Sequence, residues 1–478
     1  MNQGTNVHEF ERYTNTLLDK YKVPGFAIGL AKDGELCYEK EFGHRDVEAQ
    51  LPLSSDTVFG VGSITKAFTA IAILQLQEKS KLSVEDCVTK YLPELKTSNE
   101  AYTNQMTIHH FLTHTSGIPP LLTLIGSIKK SMEKDPKFGE DEQQGNPLDA
   151  IPSIDTYSDL IDSISKTAFT LLGAPGTEFS YSNDAYALLG AIIEQVSGTT
   201  YEQYVQENIL EPAGMHNSGF HYKADMNAEE DIAVLYDIRE HDGEKVVFRS
   251  NNPWDAPAMR PAGFLKSTVN DMLKFTEIIR NAGKVGLEQI LKPESVELMT
   301  TPYIPCAHGS FYGYGLTIIP DFFGHKLIHH GGDLKGVTAQ MNILPELNLT
   351  GITLANIAGA PSSKLLFSAF ASLHLDKTID ASHLNVQTSD IAPEDLMEYE
   401  GTFLSGDGMM NKLYVESGKL QLATAGLPAS VLEPIGNDEF LFTIREMPST
   451  LRFIRDENKK IDRMEFVLRQ IPKLEQNE

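Results

Sequence analysis

A serine and a lysine stand three residues apart in the stretch Phe59-Gly60-Val61-Gly62-Ser63-Ile64-Thr65-Lys66-Ala67-Phe68-Thr69-Ala70. Residues i and i+3 share a helix face, so the Ser63 hydroxyl and the Lys66 amine can come within hydrogen-bonding reach. The following turns are apolar or small (Ala67, Phe68, Ala70, Ile71, Ala72, Ile73, Leu74) and would strip water from the amine. Desolvation lowers a lysine pKa by up to about 3–5 units, and a neutral amine beside a serine activates it as a nucleophile. The spacing alone says little, because Ser127/Lys130, Ser131/Lys134 and Ser163/Lys166 repeat it in polar stretches. Among these, Ser63 alone has glycines ahead of it and an apolar helix behind it.

Two further patterns could serve such a nucleophile. Tyr181-Ser182-Asn183 follows Pro175-Gly176 and precedes an apolar helix over 185–197. Side chains two apart in an extended turn point the same way. A phenol near an amine can exchange a proton with it, and an asparagine can hold a substrate amide. Tyr13-Thr14-Asn15 and Tyr102-Thr103-Asn104 repeat the pattern without glycine framing. The second pattern, His330-Gly331-Gly332, lies in the stretch from His329 to Gly336, a glycine-rich strand edge that lets backbone approach a ligand closely. A histidine there can donate to a carboxylate or an oxyanion. His-x-Gly also occurs at His241 and at His329, so it too is weak alone. His110 and His114 have the i, i+4 spacing of a zinc pair, but Phe111 stands where the metalloprotease pattern needs a glutamate. They read as structural histidines.

The elements that must position these groups follow from periodicity. Residues 7–22 predict an amphipathic helix stopped by Pro24-Gly25, and strands over 26–31 and 36–42 are joined through Asp33-Gly34, a strong hairpin signal. That opening is not the start of a doubly wound parallel sheet. Helices are expected from Ser63 to about 78, at 82–86, at 107–117 and from Thr268 to about 282. Residues 118–155 read as an irregular, exposed insertion, a solvated loop with covering the site or contacting another subunit as the alternatives. From Tyr312 the pattern changes to strands over 312–319, 326–330, 337–344 and 350–356. After about 385 the segments become short and alternating, which predicts an all-β unit, a small barrel with nothing catalytic in it.

Composition narrows the class. A chain of 478 residues exceeds what one core normally organises. The net charge of −26, from 40 basic and 66 acidic residues, argues against nucleic acid and anionic membranes as partners. Cys37, Cys87 and Cys306 form neither a disulfide framework nor a zinc spacing. Residues 1–15 have no basic and apolar leader pattern and no run approaches 18 apolar residues, so a cytoplasmic location is expected.

Taken together and in this order, Ser63-x-x-Lys66, Tyr181-x-Asn183 and His330-Gly331-Gly332 resemble the class C β-lactamase and DD-peptidase family of penicillin-recognising serine hydrolases. Flanking text agrees: Thr57-Val58-Phe59, the run from Leu112 to Gly117, Pro175-Gly176, and Gly263 with Ser267-Thr268. The likeness covers about residues 8–375. It implies an α/β (α+β) fold of an antiparallel sheet flanked by helices, with a helical subdomain, over 1–384, and a lipocalin-like barrel over 385–478 that helps define the site or the oligomer. It also implies an acyl-enzyme formed on Ser63, with Lys66 and Tyr181 handling protons and Asn183 binding a substrate amide. Backbone N–H groups of Ser63 and Asp333 would form the oxyanion hole beside His330 and Gly332, with neither metal nor organic cofactor. The expected partner is a small molecule or short peptide, with a homo-oligomer compatible. One departure stands out: β-lactamases of this class carry Lys-Thr-Gly where this chain has His330-Gly331-Gly332. A histidine, with a reference pKa near 6.5, is mostly neutral at pH 7. This form resembles the family's esterases and D-amino-acid peptidases, with a β-lactamase proper and a non-turnover penicillin sensor as the alternatives.

Overall fold

The computed structural model describes residues 3–135, 147–220, 231–241, 244–250, 252–424 and 428–474. The centre of the 118–155 insertion and the glycine of the 241–243 pattern lie outside them.

A nine-stranded sheet forms the frame. Its order is Ile304–Ala307, Ser310–Tyr312, Thr317–Phe322, His325–Leu334, Val337–Leu344, Leu349–Ala355, Gly25–Lys32, Glu35–Asp46 and Leu51–Pro52. Every neighbouring pair is antiparallel. The first hairpin turns at Asp33 and Gly34, both at positive φ, as the Asp-Gly pair predicts. Alternation along Gly25–Lys32 sorts its side chains between two cores. Phe26, Ile28 and Leu30 pack on one face with Phe10, Leu17 and Leu18 of the helix Gln3–Tyr21 and with the helix Ser362–Ala369. Ala27 and Ala31 face the larger core, which includes Val269, Met272 and Phe275 of the helix Val269–Arg280.

Between Leu51–Pro52 and Ile304–Ala307 runs the mostly helical part. Its central helix, Thr65–Glu78, is buried at every residue from Thr65 to Leu76. No helix among the described residues is long and apolar enough to cross a membrane. Three expectations need correction. The helix expected over 107–117 is confined to Ile108–Leu112. Residues 82–86 form a turn rather than a helix, because the Asp86 carboxylate accepts from the Ser83 N–H at 2.9 Å and caps the chain locally. The insertion, expected to be irregular, contains the helix Thr123–Met132, whose Gly126, Ile128 and Met132 are buried. Its polar composition concealed an apolar stripe.

The C-terminal part is an eight-stranded antiparallel meander from Gly401–Leu404 to Arg469–Pro472, nearly closed by a bridge between Phe403 and Lys473. It has its own core, with Phe403, Phe440, Leu451, Phe453 and Met464 fully or almost fully buried. The contacts of the barrel with the helices and the large sheet include two hairpin tips. At one, Glu446 accepts from Lys20 at 2.6 Å and from the Tyr21 hydroxyl at 2.8 Å. At the other, Val467 and Leu468 both adopt positive φ, 48° and 64°. A two-residue turn of this kind suits Asn-Gly, and the left-handed conformation costs other residues roughly 1–2 kcal/mol each. Val467 is 45% exposed, so Val467→Asn should relieve that cost with little packing lost and raise stability by about 0.5–1 kcal/mol, measurable by urea unfolding. A drop in stability would mean the Val467 side chain contributes more than its exposure suggests.

Candidate active site

Ser63 lies in a single 3-10 turn, Gly62–Ile64, that runs directly into the central helix. The turn is pinned from both sides. Phe59–Gly60 pairs with Lys266–Ser267, and the Val61 N–H donates to the Leu265 carbonyl at 2.9 Å. On the other side the strand His325–Leu334 presses against it at glycine positions. Gly62 has φ +52°, and a β-carbon there would stand 2.8 Å from the Asp333 nitrogen. A β-carbon on Gly332 would stand 2.0 Å from the Val61 carbonyl oxygen. The close backbone approach expected of the third motif is therefore a contact with the turn that carries Ser63. Gly332→Ala should cost about 2–3 kcal/mol by overpacking. Gly198→Ala, at φ +79° with nothing within 4 Å, should cost only about 1 kcal/mol. Paired urea titrations would compare them, and equal losses would contradict the contact argument.

Lys66 is fully buried. Its Nζ lies 2.6 Å from the Ala262 carbonyl oxygen, 2.8 Å from Asn183 Oδ1 and 3.3 Å from Ser63 Oγ. Burial drives its pKa well below the ordinary lysine value, and the Arg469 guanidinium lowers it further. The first two partners are oxygens that can only accept. A neutral amine has two N–H groups and one lone pair, so donating to Ala262 and Asn183 leaves the lone pair for the Ser63 hydroxyl. The arrangement suits a base.

Tyr181 and Asn183 flank the N-cap Ser182 of the helix Asn183–Ser197, whose hydroxyl accepts from the Ala185 N–H. The segment is held by His114: Ser180 N–H donates to its carbonyl at 3.0 Å, and Ser182 N–H to its Nδ1 at 3.1 Å. The His114 ring stacks at 4.3 Å from that of Tyr181. The Lys66 amine lies 4.6 Å from the Tyr181 ring centroid. Burial pushes the phenol's pKa far up; interaction with Ser63, then Arg469, offsets part of that. Tyr181 is thus a protonated phenol against the Ser63 hydroxyl.

His330 is buried and its ring nitrogens are both engaged. Nδ1 lies 2.6 Å from the Gly331 carbonyl, which can only accept, so Nδ1 carries the proton. Nε2 then accepts from the Tyr312 hydroxyl at 3.0 Å. Burial, and after it the charge of Lys66, lower its pKa to about 4. The ring is a neutral support for Tyr312, rather than the free donor expected from the sequence. Among the described residues, no cluster of His, Cys, Asp or Glu is placed to hold a metal. Nor do His110 and His114 share a ligand: His110 Nδ1 accepts from the Thr107 N–H and caps its own short helix.

A cavity of about 630 Å³ joins Ser63, Tyr181, Asn183, His330, Gly332 and Asp333. Its other walls include residues of the insertion and the barrel. Leu124 of the insertion helix lines it, and neighbouring Thr123 hydrogen-bonds Asp184, beside Asn183. The barrel supplies Ile444, Arg445, Leu468 and Arg469. Tyr181 N–H donates to the Leu468 carbonyl at 2.8 Å, and Leu468 packs with Phe179, Tyr181 and Tyr312. Arg445 is ion-paired with Asp333. The barrel, read from its own residues as holding nothing catalytic and from the resemblance as helping to define the site or the oligomer, forms part of the cavity wall. The one available signal was Val467-Leu468 interrupting an alternating pattern, which no turn rule would pick out.

A model of the beta-lactamase family matches residues 10–369, and the chain belongs to that family. Its fold, a large antiparallel sheet with helices followed by a barrel, is shared with solved structures. The octameric penicillin-binding protein homologue from Pyrococcus abyssi is 31% identical, with a TM-score of 0.69 over 98% of this chain and all of that one. SurE, at 21% identity and a TM-score of 0.69, has the same fold over 99% of this chain and all of its own. Protein flp of Staphylococcus aureus (strain MRSA252) is 27% identical over 350 residues, 73% of this chain. The chain spans 62% of the length of that relative.

Burial makes several histidines neutral in the fold: His330, His110 and His383 have pKa values lowered to about 4, and His329 to about 3. In the unfolded chain they return to about 6.5. Between those values the unfolded state binds more protons, so stability rises with pH. It should be complete above about pH 6.5 and lost progressively as pH falls towards 4. Urea midpoints at pH 7.5, 6 and 5 should decrease in that order, with a shallower slope in His330→Gln. A flat profile would contradict neutral burial.

Proposed function

We propose that this protein is a serine hydrolase that opens amide or ester bonds through an acyl-enzyme on Ser63, with D-amino-acid-containing peptides as the favoured substrates. The observation that carries this reading is the buried Lys66 amine, its pKa driven well below the ordinary lysine value by burial, within 2.6 Å of the Ala262 carbonyl oxygen, 2.8 Å of Asn183 Oδ1 and 3.3 Å of Ser63 Oγ, so that its neutral form has a lone pair left for the Ser63 hydroxyl. Lys66 takes the Ser63 proton as Oγ attacks the substrate carbonyl carbon. The oxyanion that forms is met by the Ser63 and Asp333 N–H groups, preorganised by the Gly62 and Gly332 contacts. The Tyr181 phenol donates its proton to the leaving group and recovers one from Lys66. Water, deprotonated by the same pair, then releases the acyl group. Asn183, whose Oδ1 is held by Lys66, keeps its amide N–H groups for a substrate carbonyl.

The substrate preference rests on likeness to penicillin-binding proteins and on the neutral His330 at the third motif. A lysine at that place would offer a β-lactam carboxylate a fixed charge, and this histidine does not. Efficient β-lactam turnover is accordingly disfavoured. Likeness to the octameric Pyrococcus homologue supports a homo-oligomer of this chain as well.

Intact-protein mass spectrometry after exposure to a fluorescent penicillin, with Ser63→Ala alongside, tests the reading. A persistent adduct on the unaltered protein alone places the nucleophile and indicates a penicillin-binding peptidase with slow deacylation. Hydrolysed penicillin without an adduct would indicate a lactamase, and neither result would direct the search to small esters and D-peptides. On whichever substrate turns over, Lys66→Met should lower kcat by about 10²–10⁴. Unchanged turnover in Ser63→Ala on every substrate would end the assignment.

A further inference from the structure

The cavity around Ser63 needs a partner for any anionic group on its ligand, and the motif that would supply a lysine supplies a neutral histidine. The cations that line or underlie the cavity can be taken in turn. Lys66 is fully buried and spends its N–H groups on Ala262 and Asn183. His330 is occupied at both nitrogens. Arg445 is paired with Asp333, and Arg452 makes a bidentate pair with Glu465 at 2.7 and 2.8 Å. His308 Nδ1 is 2.8 Å from Glu439. Lys364 also lines the cavity, with its Nζ set over the Tyr13 ring at 5.9 Å from the centroid.

Arg469 differs from all of these. It is the first residue of the last barrel strand, just past the strained Val467-Leu468 tip. That tip is fixed on the Tyr181 segment: Leu468 O accepts from Tyr181 N–H, Gln470 N–H donates to Ser180 Oγ at 3.3 Å, and the Gln470 side-chain amide donates to Glu178 at 2.8 Å. The guanidinium carbon lies 5.9 Å from the Tyr181 ring centroid, and its charge reaches Lys66, His114 and Tyr181. Its ion-pair partner among the described residues is Asp407, at 3.4 Å and on one nitrogen, Nε. Five N–H donors with one long contact leave the outer fork of the guanidinium to a ligand, and the side chain is 18% exposed on the cavity wall.

We propose that Arg469 binds a carboxylate of the substrate, so that a cation delivered by the C-terminal barrel sets the site's preference for ligands with a free carboxylate next to the scissile bond. The proposal rests on Ser63 being the nucleophile. Charge-assisted bidentate pairing with a planar guanidinium gives both affinity and orientation. Asp407 holds the guanidinium in place until the ligand arrives, acting as a positioning residue.

The test measures protection rather than turnover. A fluorophosphonate label on Ser63 is followed by intact-protein mass spectrometry in the presence of racemic N-acetylalanine or its methylamide. In the unaltered protein the carboxylate should slow labelling at concentrations at least tenfold lower than the amide. In Arg469→Gln that ratio, taken against the variant's own unprotected rate, should fall to within about twofold of unity, and Arg469→Lys should restore part of it. A ratio near unity in the unaltered protein, or one unchanged in Arg469→Gln, overturns the proposal. Absence of any label on Ser63 would instead overturn the nucleophile assignment on which it rests.

Discussion

One amine in a dry place organises this molecule. Burying a lysine is costly unless its polar atoms are satisfied, and Lys66 draws its partners from three separate elements. Ser63 comes from the turn before its own helix, Asn183 from the start of a second helix, and the Ala262 carbonyl from the 3-10 turn Pro257–Ala262. Each must be held to within a few tenths of an ångström. Thr69, one turn along, fastens the same 3-10 segment through the Pro261 carbonyl at 2.7 Å and bonds the Tyr201 hydroxyl at 2.8 Å. Phe68 stacks on Phe275 at 3.8 Å between centroids and ties the central helix to the helix that covers the sheet. The packing of the large core and the placement of the amine are one problem with one solution.

Much of this was legible in the sequence, for identifiable reasons. The central helix declared itself by an unbroken run of small and apolar residues behind Gly60 and Gly62. The first hairpin was marked by Asp33-Gly34, and Thr268 marked the start of Val269–Arg280 by capping it through the Asp271 N–H. The juxtaposition of Ser63 with Lys66 follows from helical spacing. That Asn183 would complete the amine's shell could come only from family resemblance, since 117 positions separate the two residues.

What stayed hidden was whatever depended on non-local contact or on a residue behaving against type. The state of His330 is decided by Tyr312 and by a backbone carbonyl, neither of which a motif reports. The helix Thr123–Met132 looked polar because its buried face is built of Gly126, Ser127 and Ile128 as much as of large apolar residues. The barrel's part in the cavity hung on a turn of valine and leucine. Local propensity argues against that turn, and the apolar contact of Leu468 with Phe179, Tyr181 and Tyr312 outweighs it.

The contact of Gln470 with Ser180, 290 positions apart along the chain, also has a temporal side. A chain made from its N-terminus acquires Ser63, Lys66 and Tyr181, and can pack them, well before the strand that roofs them exists. During that interval the Ser63 side of the cavity has no barrel wall. Only when the final hairpin forms and docks is that wall in place. The barrel therefore acts as a clock on synthesis: the cavity takes its finished shape only after the strand that carries Gln470 has been made.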